Sequence, residues 1–447
     1  MASMTTQTQN NTYPTTTPPQ GPFSQFFSRL KKDFKAVSSL VVIGLSVLIA
    51  LLGYLIAPDS TPNANDGSVQ IKLLPPGSSV RLIKRHRHVE VEQQNWFKRM
   101  LFGQESPYAI IPVDSFYIEG WYVHYIPYHA SNGRRHSIEK MHLLNATQAL
   151  FIGDSPKLDA FLKSDEGKNC QKSDEGNFVI CGNQAYYLDS HEQLQTITLQ
   201  EVQQLFEAKQ VEERFFLLGT DRQGRDVLSR LIIGFRISLF VGAFAVLIAL
   251  LVGVSLGSIA GFFGGWTDRV IVWFMTVVWS IPSIMLVIAI SLALQSKSLW
   301  VTFLAVGLTN WVEVARVVRG QIMALKKAPY IEAARAIGAP RRHILLRHML
   351  PNVLGAIVVQ ASANFAYAIL IEAGLSFLGL GVQPPTPSWG MMVNEGYEVI
   401  GLSASSTGSH LLWAPSFCIF ITVLAFNLLG NAMRDAIDPK SNTQYQW

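Results

Sequence analysis

The sequence predicts an all-α polytopic membrane protein of six transmembrane helices, with an α+β domain inserted after the first of them. Three observations predict it. Charged residues are only 15% of the 447, against roughly 25% in soluble globular chains, and the mean hydropathy is positive. Uncharged runs of helix-spanning length recur along the chain. About half of the charged residues fall between Asp59 and Arg214, so one water-soluble segment interrupts an otherwise apolar sequence. The net charge of +5 needs no nucleic-acid partner, because basic flanks of membrane spans account for it.

The elements follow in order. Residues 1–28 are rich in Thr, Gln, Pro and Asn, which cannot bury a core, and the region 1–36 is expected to be a disordered tail. It ends in a basic patch of Arg29, Lys31, Lys32 and Lys35. Residues 37–57 carry no charge for about 21 positions, enough to cross a hydrocarbon core of roughly 30 Å as the first transmembrane helix. The run is long for a signal peptide, and Leu55 with Ala57 is not a small-x-small cleavage site, so it reads as an uncleaved anchor.

Residues 58–217 form the insert. "DSFYIEGWYVHYIPYH" is strand-like, and "LQEVQQLFEAKQVEERFF" reads as an amphipathic helix with Val202, Leu205 and Phe206 on one face. "KSDEG" occurs at 163–167 and again at 172–176, expected as two turns of one hairpin loop. Apolar runs then resume near 237–260, 270–294, 299–318, 353–373 and 411–432, with Pro282 expected to kink the second of these. The membrane domain is 218–440, and 441–447 is a C-terminal tail.

Charge asymmetry orients the spans. The segment 316–348 carries eight basic residues and one acid, Glu332; the segment 374–411 carries Glu395 and Glu398 and no Lys or Arg. Short basic loops stay in the cytoplasm, so 316–348 and both termini are expected inside and the insert outside. An outside location is oxidising, so Cys170 and Cys181 have the chance to pair, while two free thiols remain the alternative. Cys418 sits in an apolar run.

The segment 329–352 is too ordered by its own signals for a plain basic loop. Pro329 suits a first helical turn, and Glu332 lies where the helix dipole favours an acid. Gly338 suits a left-handed stop, Pro340 opens a second helix, and Pro351 is expected to end it. Leu345, Leu346, Met349 and Leu350 are expected on one broad face of that second helix, with His343 and Arg347, four apart, on another. The spacing of Glu332, Ala333, Ala334, Gly338, Leu350 and Pro351 resembles the EAA loop of ABC importer permeases. "RHMLPN", "LGTDRQGRDVLSRLIIGFRISL", "LSFLGLGVQPPTPSWG" and "AFNLLGNAMRDAIDP" resemble the dipeptide, oligopeptide and nickel branch, most closely its second, C-type permease. The resemblance covers 218–440 and the first span, not the insert.

That resemblance implies a type I ABC importer permease fold in the bacterial cytoplasmic (inner) membrane. It implies that Glu332, Ala333, Ala334, Gly338, Arg342, Leu350 and Pro351 couple to an ATPase subunit. The partners it implies are a second permease, two ATP-binding subunits, an extracytoplasmic substrate-binding protein and the lipid bilayer. The cargo would be dipeptides or oligopeptides, with nickel or another small solute as the alternative. The chain has no GxxxxGK[ST] and no HExxH, so it is expected to be non-catalytic and to hold no cofactor or metal itself, with ATP and Mg bound by the partner subunits.

The remaining polar residues have structural expectations. Thr220 or Asp221 caps a helix, with Arg225 and Asp226 paired locally. Glu313 pairs with Arg316. Glu372, an acid at membrane depth, is a candidate for the translocation pathway. His86, His88, His136 and His142 are expected at the surface. A reading of another class makes the chain a membrane-anchored sensor working through its insert; as part of a transporter, the insert would be a docking collar for the binding protein or the partner permease.

Overall fold

The computed structural model describes residues 22–89, 91–128, 137–168, 170–295, 298–402 and 408–437. His136 and the expected tail at 441–447 lie outside the described residues. Part of the expected tail at 1–36 is helical: α1 (Pro22–Lys32) precedes α2 (Phe34–Ile56). Asp33 caps α2 by accepting the Lys35 N–H, and α1 buries Leu30 against Ala36 and Ala432. The composition of 1–28 hid this, because the apolar residues that anchor α1 cluster only at its end.

The insert follows: β1 (Ser78–His86), α3 (Trp96–Phe102), β2 (Tyr108–Glu119), β3 (Tyr122–Pro127), β4 (Glu139–His142), α4 (Leu143–Thr147), α5 (Pro156–Leu162), β5 (Gln171–Lys172), β6 (Phe178–Cys181), β7 (Gln184–Leu188), β8 (Leu194–Thr198), α6 (Leu199–Leu205) and β9 (Val211–Phe216). They build a five-stranded sheet in the order β4-β3-β2-β1-β9 and a four-stranded sheet in the order β5-β6-β7-β8. All described pairings are antiparallel. The first and last strands are neighbours, with Ser78 opposite Phe216. Entrance and exit of the insert therefore lie side by side, which lets a domain sit between two spans without prising them apart.

Two readings of the insert are corrected. The stretch 199–216 is not one helix. Its amphipathic part ends in a π turn at Phe206–Gln210, and the β-branched and aromatic residues of "VEERFF" pair with β1 as a strand. The two "KSDEG" copies are not turns of one hairpin: the first follows α5, and the second connects β5 to β6. Cys170 and Cys181 are disulfide-bonded, their Cα atoms 4.4 Å apart.

His142 is not at the surface. It is fully buried among Trp121, Tyr122 and Phe178. Its Nδ1 accepts the Leu144 N–H at 3.2 Å, so the ring proton sits on Nε2. Burial lowers its pKa to about 4.

The membrane domain comprises α7 (Val227–Phe263), α8 (Gly265–Trp279), α9 (Ser283–Ala293), α10 (Leu299–Leu325), α11 (Pro329–Ala336), α12 (Arg341–His343), α13 (Leu350–Phe377), α14 (Trp389–Leu402) and α15 (Ser409–Ile437). Among the described residues, five helical segments are long and apolar enough to cross a membrane, and α8 with α9 makes a sixth if counted as one broken span. Pro282 does more than kink this pair. The helices bend by 90° because proline cannot donate into the ladder and clashes with the preceding turn. Helix α14 lies in the segment expected as a loop.

Helices α7 and α10 pack closely along a glycine seam. A Cβ on Gly253, Gly257 or Gly261 would lie 2.6, 2.5 or 2.8 Å from the carbonyl oxygens of Trp311, Ala315 and Arg319. Small residues four apart let helix backbones approach in a membrane, where lipid offers no hydrophobic drive for association.

Candidate functional site

The loop at 329–352 is a rigid arm with an apolar tip. Helix α11 begins at Pro329, where a missing N–H costs nothing, and Glu332 lies in its first turn. Gly338 has φ +82° with open space around it, so the residue is required by backbone conformation rather than crowding. Its N–H donates to the Arg335 carbonyl at 3.0 Å, and the Ala339 N–H donates to the Ala334 carbonyl at 3.1 Å. These bonds satisfy carbonyls that a helix end leaves open.

Past the turn, α12 opens with Pro340 as its N-cap. A π turn at Ile344–Met349 follows. Pro351 does not end the helix, contrary to expectation. The chain from Arg341 to Phe377 is one continuous helix, with Pro351 in the first turn of α13 and the widened turn just before it. The π turn also changes which face is buried. Ile344 and Met349, five apart, are buried along with Val353, whereas Leu346 is 63% exposed. A 3.6-residue period cannot anticipate that rotation.

The arm is anchored to the span bundle and free at its tip. Ile331, Ile344 and Met349 pack with Val314, Val318 and Ile322 of α10 and Phe262 of α7. Outward, Ile337 is 87% exposed and Tyr330 45%. Glu332, Ala333, Arg335, Ala336, Arg341, Arg342 and Pro351 are exposed too, while Ala334 and Leu350 are half-buried. An exposed isoleucine with exposed arginines on either side of it in the chain, Arg335, Arg341 and Arg342, is costly in water and suits a concave apolar partner with an acidic rim. Sequence reasoning missed Ile337; its position beside the obligatory turn at Gly338 was the available signal.

Beside this arm, Asp268 of α8 makes a two-point contact with Arg319 of α10, at 2.5 and 2.7 Å. The expected Glu313–Arg316 pair does not occur among the described ion pairs. Arg316 instead lies over the Trp279 ring, 4.2 Å from its centroid.

At the other end of α7, residues 59–74 wrap the segment 219–230 in a polar clasp. Asp226, not Thr220 or Asp221, caps α7, accepting the Ser229 N–H at 2.8 Å. Thr220 Oγ1 accepts the Leu74 N–H. Arg225 pairs with Asp221 at 2.6 Å rather than with Asp226. Arg230 is fully buried and lies 3.3 Å from Asp221 and 3.4 Å from Glu395 of α14. Glycine is obligatory at 224, since a Cβ there would collide with the Ser68 carbonyl.

Glu372 is completely buried. Its Oε1 accepts from Ser376 Oγ at 2.8 Å. Ser376 Oγ in turn accepts the Val382 N–H at 3.2 Å, so the acid sits beneath the 378–388 turn.

Residues 253–443 match the family described as "Binding-protein-dependent transport system inner membrane component". A glutathione transport system permease protein, GsiD, of Pectobacterium atrosepticum is 44% identical over 223 residues, covering 50% of this chain and 72% of that protein. The chain belongs to this permease family. The oligopeptide transport system permease protein OppC of Haemophilus influenzae is 41% identical over 228 residues, 51% of this chain and 71% of the relative. The dipeptide transport system permease protein DppC of Bacillus subtilis is 42% identical over 222 residues, 50% and 68%. This permease is accordingly a multi-pass inner-membrane component of an ABC importer, a transport subunit rather than an enzyme, and the family implies that it works with other ABC transporter components. The family match lies wholly beyond the insert.

Proposed function

We propose that this permease imports dipeptides or oligopeptides, converting ATP hydrolysis by two partner subunits into alternating access. The observation that carries the reading is the rigid arm at 329–352, whose exposed Ile337 tip stands on a base buried against α7 and α10. In the proposed mechanism the tip seats in a cleft of an ATP-binding subunit, which holds ATP and Mg. Closure of those subunits displaces the arm. Because Ile331 and Ile344 are packed into α10 and α7, and these are locked by the glycine seam, the displacement tilts both spans together.

The named relatives handle glutathione, oligopeptides and dipeptides, which share peptide bonds and charged termini; this supports peptide over nickel. A second permease would complete the pathway, and an extracytoplasmic binding protein would deliver cargo. The charge asymmetry of 316–348 against 374–411 supports termini and arm inside and insert outside. Residues 58–217 would then form an extracytoplasmic domain in an oxidising space, in keeping with the Cys170–Cys181 bond.

The test is reconstitution of the whole importer with Ile337→Asp and Gly338→Pro variants. Both are expected to insert normally and to lose peptide uptake and peptide-stimulated ATP hydrolysis. Normal uptake by Gly338→Pro would refute the coupling role.

A further inference from the structure

Helix α3 of the insert lies beside the insert-side end of the first span. Its C-terminal Gly103 has φ +76°, and a Cβ there would meet the Ser60 carbonyl at 2.7 Å and the Tyr54 ring at 3.0 Å. The Gln104 N–H donates to the Ser60 carbonyl at 3.0 Å. From α7, Arg236 donates to the Met100 carbonyl at 3.3 Å and stacks over the Tyr54 ring at 5.0 Å. A tyrosine and an arginine at the ends of apolar runs are the residues that mark a membrane–water boundary. Both touch α3 or its cap, so α3 lies at that boundary.

Its composition matches the location. "WFKRMLF" leaves Trp96 65%, Phe97 60% and Phe102 64% exposed, with Lys98 and Arg99 exposed between them. Three bare aromatic rings are unusual on the surface of a water-soluble domain. They continue the apolar surface of α2, where Leu51 and Ile56 are each 52% exposed. Aromatic rings interleaved with cations suit the phospholipid headgroup and upper acyl region, where rings sit in the apolar zone and cations meet phosphates.

We propose that α3 is an interfacial anchor that inserts its aromatic residues into the bilayer leaflet on the insert's side and so fixes the insert against the membrane. The inference depends on α2 and α7 being spans, not on the cargo or on which side the insert faces.

The experiment uses the full chain in phospholipid nanodiscs. In a Cys418→Ala background, with Cys170 and Cys181 bonded, a Trp96→Cys variant carries an environment-sensitive fluorophore; a second variant, Phe97→Cys, repeats the measurement, and Leu194→Cys on the second sheet is the aqueous control. The expected result is blue-shifted emission at 96 and 97, quenched by nitroxide lipids labelled near the headgroup and poorly quenched by aqueous iodide. Iodide quenching as strong as at 194 would overturn the proposal. So would protection from iodide that arises only when the second permease is added, which would make α3 a protein-docking face.

Discussion

The arm at 329–352 keeps Arg335, Arg341 and Arg342 in solvent, whereas the clasp around Asp221 takes Arg225 and Arg230 out of it. The two regions lie at opposite ends of α7 and use the same residue type for opposite ends. In solvent, guanidinium groups are screened and contribute little to folding, but they remain available to a partner. In the clasp they have surrendered their water, and the carboxylates of Asp221 and Glu395 balance their charge, with Asn65 and Gln223 accepting further bonds from Arg225. Geometry there is tightly specified, and no single member can be removed cheaply.

The largest effect separating the two regions is expected from Arg230→Ala. It removes one of the two cations that face Asp221 and Glu395, leaving Arg225 alone against two buried carboxylates, and should cost about 3–5 kcal/mol, read as a large fall in the thermal unfolding temperature of the purified permease. Arg342→Ala should leave that temperature nearly unchanged. Equal losses would mean that the arm is not a free surface.

His142 extends the rule to a buried group with no counter-charge. Its folded pKa of about 4 lies below the ordinary 6.5, so the unfolded chain binds more protons between those values. Stability from this site is complete above about pH 6.5 and is lost as pH falls towards 4, on the order of 3 kcal/mol at most. A His142→Phe insert should lose this part of the acid sensitivity in a pH series of thermal melts.

The seam joining the two regions is broken by Gly257→Leu, which forces a side chain onto the Ala315 carbonyl. A cost of about 1–3 kcal/mol is expected, with peptide uptake falling further than stability. A smaller cost, about 1 kcal/mol, belongs to Gly338→Ala, because its left-handed backbone is strained by a Cβ but the surroundings are open. If the arm is a coupling element, this variant should lower peptide-stimulated ATP hydrolysis out of proportion to its melting temperature.

Much of the arm could be read from the chain. The Glu-Ala-Ala, Gly and Leu-Pro spacing marked its position, and Gly338 marked its turn. Its buried face could not be read, because a π turn before Pro351 rotates Ile344 and Met349 inward and leaves Leu346 exposed. In the clasp, local spacing paired Arg225 with Asp226, its neighbour. The partners that count include Glu395 and Asn65, more than a hundred residues away in either direction.

The sequence by itself determined the spans, the interruption between the first and second, and the helix–turn–helix character of the arm. Each of these depends on run length, charge density or a residue with a special backbone, which are local properties. Tertiary structure alone decided that β1 and β9 close the insert, that α7 and α10 meet through glycines, and that α3 lies against the end of the first span. Those outcomes depend on which distant surfaces meet, and pairing of that kind leaves no period in the chain.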